Sequence, residues 1–165
     1  MKADGFRKGL IEMKKYYLAY GSNLNVRQMK WRCPTARIMG TAVIKDYELL
    51  FKGSKTGSYL TIEPKAGAEV PVAVWEVSEY DEKSLDRYEG YPNFYYKKEM
   101  NVTMKGIKTG KKYQRHAFVY IMHEDRPLGV PSLHYLNICI EGYEYFDFDD
   151  RALYDACMKS EELVQ

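Results

Sequence analysis

Cysteine and histidine are scarce in this chain, with three of each in 165 residues. Cys33, Cys139 and Cys157 are odd in number and show no paired short spacing, which argues against a disulfide framework or a zinc knuckle and fits a reducing cytoplasm. His116, His123 and His134 form no His-x-His or His-Glu-x-x-His arrangement, so no metal is indicated, and nothing in the chain asks for an organic cofactor. Long apolar runs are missing as well. None approaches the roughly 20 residues of a membrane-spanning helix, and Met1 to Lys15 lacks the continuous apolar stretch of a secretory signal. A soluble, intracellular protein is expected. Charge of one sign is not in excess either: 25 basic against 23 acidic side chains leave a net +2, too little by itself to imply a polyanionic partner. There is no linker, low-complexity tract or long repeat, and only the tripeptide Glu-Gly-Tyr recurs, at Glu89 to Tyr91 and Glu141 to Tyr143.

What is present reads as one domain, because a chain of this length buries roughly 70% of the surface it exposes when unfolded. Six segments rich in Val, Ile, Tyr and Thr are expected to be strands: Tyr16–Tyr20, Ala36–Phe51, Tyr59–Glu63, Val70–Val77, Phe94–Met104 and Tyr113–Met122. Helical patterning is found at Val26–Arg32, at Glu79–Tyr88 behind a Ser78 cap, around Ser132–Tyr145 and at Asp149–Met158. The mix implies an α+β fold with a mainly antiparallel sheet or barrel.

The most informative local feature is the apolar run ending at Tyr20, which breaks into Gly21-Ser22-Asn23-Leu24 and then a plausible helix start at Asn25. A strand that turns over such a corner into a helix exposes several backbone N–H groups, suited to a carboxylate or a developing oxyanion. Read more plainly, Gly, Ser and Asn are ordinary turn residues, and Asn25 with Gln28 is a capping pair. A second feature lies at Glu89, at the C-terminal boundary of the helix that Gly90 and Pro92 end. The partial negative charge there disfavours an ionised carboxyl, and burial pushes the same way, toward the proton affinity useful in acid–base work. Pointed into water, the same residue would signify nothing. The aromatics crowding it, Tyr88, Tyr91, Phe94, Tyr95 and Tyr96, are suited to excluding water and supplying hydroxyl donors.

The motifs Tyr17-Leu18-Ala19-Tyr20-Gly21-Ser22-Asn23-Leu24, Leu85-Asp86-Arg87-Tyr88-Glu89-Gly90-Tyr91-Pro92 and Pro131-Ser132-Leu133-His134-Tyr135 together resemble the gamma-glutamylcyclotransferase-like family, in order and separation as well as content. The resemblance runs from about Tyr16 to Tyr145. It implies a small mixed, mainly antiparallel β-barrel with a few flanking helices, a core at about 16–146, and extensions at 1–15 and 147–165. It also implies an enzyme that releases a gamma-glutamyl group as 5-oxoproline. By position, Tyr20, Gly21, Ser22, Asn23 and Leu24 correspond to the binding loop, Glu89 to the acid–base carboxylate, and Tyr95 and Tyr135 to pocket tyrosines. The implied partner is a small gamma-glutamyl molecule rather than a membrane or nucleic acid. Whether the loop serves the oxyanion or the substrate's alpha-carboxylate stays open, as do the leaving amine and the oligomeric state.

Several residues offer rival readings. Cys33 and Ser22 are possible nucleophiles but have no base placed beside them by spacing. Glu141, after Ile138-Cys139-Ile140, is the second carboxylate to consider. Lys105, Lys108, Lys111, Lys112 and Arg115, with Tyr113, invite a nucleic-acid reading, although Gly106 and Lys108-Thr109-Gly110 suit a solvated hairpin. A module that binds a small acidic metabolite without turning it over is the remaining alternative.

Overall fold

The computed structural model describes residues 13–54 and 56–163. Five strands, β1 (Lys15–Ala19), β2 (Arg37–Ser54), β3 (Gly57–Val77), β4 (Tyr95–Gly106) and β5 (Lys112–Met122), close into a barrel in the order β1-β3-β2-β4-β5. Four helices flank it: α1 (Val26–Arg32), α2 (Glu79–Glu89), α3 (Leu133–Tyr145) and α4 (Arg151–Glu162). This is the α+β, mainly antiparallel barrel expected above. Leu18, Phe51, Ile62, Val72, Val74 and Val119 are wholly buried in its core. Burying a side chain of this size contributes roughly 1.5–3 kcal/mol.

One pairing departs from the antiparallel rule. β1 runs parallel to β5, Tyr16 opposite Ala117 and Tyr17 opposite Phe118. Parallel neighbours send their C-terminal ends to the same rim, so the loop that leaves β1 emerges beside Tyr120 near the end of β5.

Two of the six expected strands are one. Tyr59–Glu63 and Val70–Val77 both belong to β3, which pairs along β2 with a break in register between Lys45 opposite Glu69 and Tyr47 opposite Pro64. Residues 65–68 bulge from the ladder there, with Gly67 at φ 80° and its N–H donating to Asp46 Oδ1 at 2.9 Å. A run of exposed small and charged residues reads locally like a turn, but here it is a bulge within a continuous strand.

The helix ends follow their local chemistry. Ser78 and Asp81 form a capping box at the start of α2, and Gly90, at φ 63°, ends it. Asn25 accepts the N–H of Gln28 at the start of α1, and Ser132 that of Tyr135 at the start of α3. In the segment expected as a C-terminal extension, α4 buries Leu153 and Ala156 against the barrel. Lys159 pairs with Glu48 there. Of the expected N-terminal extension, residues 1–12 lie outside the described residues. Among the described residues no helix is long and apolar enough to cross a membrane. The Lys105–Arg115 stretch forms the exposed turn and flanks of the β4–β5 hairpin.

The seam between β2 and β4 is short: Gly40 faces Gly106 and Thr41 faces Lys105. A Cβ on Gly40 would stand 2.1 Å from the Lys105 carbonyl oxygen. Gly40→Ala should therefore spread the seam and destabilise the fold by about 2–3 kcal/mol, measured by urea unfolding.

Candidate active site

A cavity of about 430 Å³ opens at the rim where β1 and β5 end. Its walls come from the loop after β1, the C-terminal turn of α2, the start of β4, the first turn of α3 and the tip of the β2–β3 hairpin at Ser54 and Thr56, with Tyr17 of β1, Leu60 of β3 and Tyr120 of β5 completing them. Tyr20, Gly21, Ser22, Asn23, Tyr95 and Tyr135 line it together with Glu89, although these residues are drawn from more than a hundred positions of sequence.

Leu24 does not reach the cavity. It is fully buried and packs under the loop against Gly142 of α3. It is thus an anchor beneath the loop, where an apolar side chain gains most from burial.

The loop is one short 3-10 turn, Ser22–Leu24, closed by Leu24 N–H to Gly21 O and Asn25 N–H to Ser22 O, both at 3.0 Å. The N–H groups of Gly21, Ser22 and Asn23 precede those bonds and find no acceptor among the described residues. Such first-turn donors are the groups a helical start leaves unsatisfied.

Glu89 closes the last turn of α2, and its Oε1 accepts a hydrogen bond from Asn23 Nδ2 at 3.3 Å. Burial pushes its pKa up from the ordinary carboxylate value to about 7, against an opposing pull from the Arg32 guanidinium. Among the described residues it is the one carboxyl of the cavity wall, and proton transfer works best when a group's affinity matches the ambient pH.

The surrounding tyrosines are held by name. Tyr20 donates to the Tyr120 carbonyl at 2.6 Å, Tyr95 donates to the Leu60 carbonyl at 2.8 Å, and Tyr135 accepts the Leu60 N–H at 3.0 Å. Leu60 lies on a stretch of β3 that has β2 on one side only, so the two hydroxyls satisfy its free backbone groups. Burial first, and the Glu89 charge among the further causes, hold the Tyr20, Tyr95 and Tyr135 hydroxyls well above the usual phenol range, so all three stay protonated.

The rival residues are otherwise engaged. Among the described residues Ser22 Oγ has the Tyr88 hydroxyl, at 3.0 Å, as its hydrogen-bond partner, and burial holds that phenol protonated. Cys33 is buried, and that burial pushes its thiol up to about 12, away from the nucleophilic thiolate. Glu141 is turned away from the cavity: it binds Arg27 at 2.7 Å and Asn25 at 2.9 Å, and these bonds lower its pKa.

Two residues of the site, Tyr120 and Arg32, carry no local signal, and Tyr17 stands in the first motif with no role assigned to it there. Tyr17 accepts from Asn23 Nδ2 at 2.9 Å. Tyr120 arrives on β5 and donates to Asp86 at 2.6 Å, Asp86 in turn pairing with Lys97 at 2.8 Å. Arg32 lies with its guanidinium 3.4 Å from the centre of the Tyr88 ring. The pairing of β1 with β5 and the packing of α1 on α2 bring them in.

A family model described as "Gamma-glutamyl cyclotransferase, AIG2-like" matches residues 17–137. The Homo sapiens protein named gamma-glutamylcyclotransferase is 31% identical over 134 residues, spanning 76% of this chain and 68% of that protein. The Bos taurus protein of the same name is 31% identical over 133 residues. A solved structure titled "Gamma-glutamyl cyclotransferase" aligns with a TM-score of 0.72 and 27% identity over 90% of this chain and 88% of its own. YkqA from Bacillus subtilis shares the fold, at a TM-score of 0.70 and 19% identity over 90% of this chain and 54% of that one.

Proposed function

This chain belongs to the gamma-glutamyl cyclotransferase, AIG2-like family and is an enzyme, and on that premise we propose that it releases 5-oxoproline from a gamma-glutamyl amine, amino acid or peptide with Glu89 as general base and acid. The observation that carries the reading is Glu89 itself: a carboxyl with a pKa of about 7, hydrogen-bonded to the Asn23 amide inside a tyrosine-lined hollow. Its ionised form takes a proton from the substrate's alpha-ammonium group. The freed amine attacks the gamma-carbonyl carbon, a C–N bond closes the five-membered ring, and negative charge collects on the carbonyl oxygen. The bond to the departing nitrogen then breaks as Glu89 returns the proton to it, and the second proton that the attacking nitrogen sheds on becoming the lactam N–H passes through the same carboxyl to the released amine, which leaves as an ammonium. Atoms balance without water or a covalent enzyme intermediate. The protein's main task is to fold one molecule so that its two ends meet, a gain of orientation rather than of new reactivity.

The unspent N–H groups of Gly21 to Asn23 suit either the oxyanion or the alpha-carboxylate, and removing one oxyanion donor typically costs around 3 kcal/mol. The partner on this reading is a small molecule.

Incubation with a panel of gamma-glutamyl amines, amino acids and peptides, read by mass spectrometry for 5-oxoproline, tests the proposal. Turnover of one or more supports it. Calorimetric binding with no product from any of them would favour the binding module instead. The pH profile supplies a further expectation. The base must be ionised, so kcat/KM falls as pH drops through about 7, losing roughly tenfold per unit below it. A profile flat down to about pH 5 would remove Glu89 from the base role.

A further inference from the structure

Arg32 ends α1 with its guanidinium over the Tyr88 ring, its Nη1 donating to Asn23 Oδ1 and its Nη2 donating to Gln28 Oε1 at 2.7 Å. Its own carbonyl oxygen accepts from Ser84 Oγ at 2.6 Å, which ties the end of α1 to α2. The side chain is therefore fixed by α1, by α2 and by the loop at once. A guanidinium only donates. The Asn23 amide facing it must present its oxygen, and that choice turns Nδ2 toward the Tyr17 hydroxyl at 2.9 Å and Glu89 Oε1 at 3.3 Å.

We propose that Arg32 is a positioning residue for the reaction: by holding the oxygen of the Asn23 amide it sets which end of that amide meets Glu89, and so keeps a donor on the carboxyl. The inference rests on the cyclotransferase reading of Glu89. Without Arg32 the amide is free to rotate, and a carbonyl turned toward Glu89 would repel the ionised carboxyl and favour the protonated one. The positive charge acts in the same direction, since Arg32 opposes the upward push of burial on Glu89.

The other titratable groups whose charge is felt between themselves and Glu89 are tyrosines: Tyr17 on β1, Tyr20 just after it, Tyr88 on α2, Tyr95 on β4, Tyr120 on β5 and Tyr135 on α3. All have pKa values raised above the ordinary phenol and are neutral near pH 7. Arg87 also lines the cavity but is exposed on α2. Lysine at 32 would keep the charge while losing the planar fork that grips two carbonyl oxygens and stacks on a ring.

The test measures kcat/KM against pH for wild type, Arg32→Met and Arg32→Lys, with circular dichroism melts to establish folding. The methionine variant should lose about 10- to 100-fold at pH 7 and move its acid limb upward by about one unit, beyond what loss of packing alone would do. The lysine variant should keep the limb closer to wild type but remain several-fold slower. Carbon-13 NMR of labelled glutamate, assigned with Glu89→Gln, reads the Glu89 titration without any substrate, and its midpoint should rise in the methionine variant. An unmoved midpoint and limb in folded Arg32→Met overturn the proposal. So does a lysine variant as fast as wild type, which would leave only the charge at work. If methionine prevents folding, the lysine variant and its NMR titration decide. A wild-type protein that releases no 5-oxoproline from any substrate removes the cyclotransferase reading, and the NMR arm still reports whether Arg32 governs the carboxyl.

Discussion

Glu89→Gln keeps the fold and loses turnover, with kcat down by about 10²- to 10⁴-fold, the usual span for removing a general acid–base group. Glutamine has the same shape and still offers an oxygen to Asn23 Nδ2, so the loss reports proton transfer rather than collapse of the pocket. A second readout separates the two. The folded Glu89 holds its proton up to about pH 7, whereas an ordinary glutamate releases it near 4.3. The raised affinity therefore favours the fold fully below the unfolded value, and that benefit is lost as pH rises through the folded one. Above about pH 7 the buried charge is a net cost of about 2 kcal/mol, after allowance for the solvent the carboxyl still meets. The glutamine variant should thus melt several degrees higher than wild type at about pH 8 and at nearly the same temperature at about pH 4, by scanning calorimetry. A folded variant that turns over at the wild-type rate would show that Glu89 is not the base.

Gly142→Ala should slow the enzyme about 10²-fold although it lies behind the loop and not in the cavity. In an exposed helix, glycine to alanine is worth up to ~1 kcal/mol of stability. Here the sign reverses. A Cβ on Gly142 would lie 2.5 Å from Leu24 Cβ, 2.7 Å from the Leu24 carbonyl carbon and 3.0 Å from the Asn25 nitrogen. Two of those three atoms are backbone, so the Ser22–Leu24 turn must move or α3 must retreat. A displacement near 1 Å at groups that orient a substrate is enough for a loss of this size, and overpacking adds a destabilisation of about 1–3 kcal/mol. Steady-state kinetics beside urea unfolding would check both. A variant more stable than wild type with full kcat/KM would mean that the loop tolerates the shift.

The features visible in the letters were those with local causes. Gly90 and Pro92 mark the end of α2, so Glu89 could be placed at a helix C-terminus, and it occupies the final residue of that helix. Ser132 announces α3 by its cap, which carries Tyr135 to the first turn. The split of β3 into two expected strands has an equally local origin, since residues 65–68 interrupt the apolar alternation while the ladder with β2 resumes beyond them. Leu24 belongs to the same motif as Asn23, yet a motif does not say which side of a turn each side chain faces. The repeated Glu-Gly-Tyr misleads in a similar way. Gly90 is required for its left-handed backbone and Gly142 for the room it leaves against the loop, and only the first glutamate borders the cavity. Tyr120 and Arg32 stayed hidden because their neighbours are set by barrel closure and helix packing, and the parallel β1–β5 contact has no signature within either strand.

The two phenols that cap Leu60 have an effect outside catalysis. An open β margin with free amides and carbonyls is a template on which another molecule's strand can add. At Leu60 that margin is occupied by the oxygens of Tyr95 and Tyr135. Reshaping the cavity by trimming either ring to an apolar residue would thus uncover a place for chains to stick to one another, so that varying specificity at these positions risks self-association.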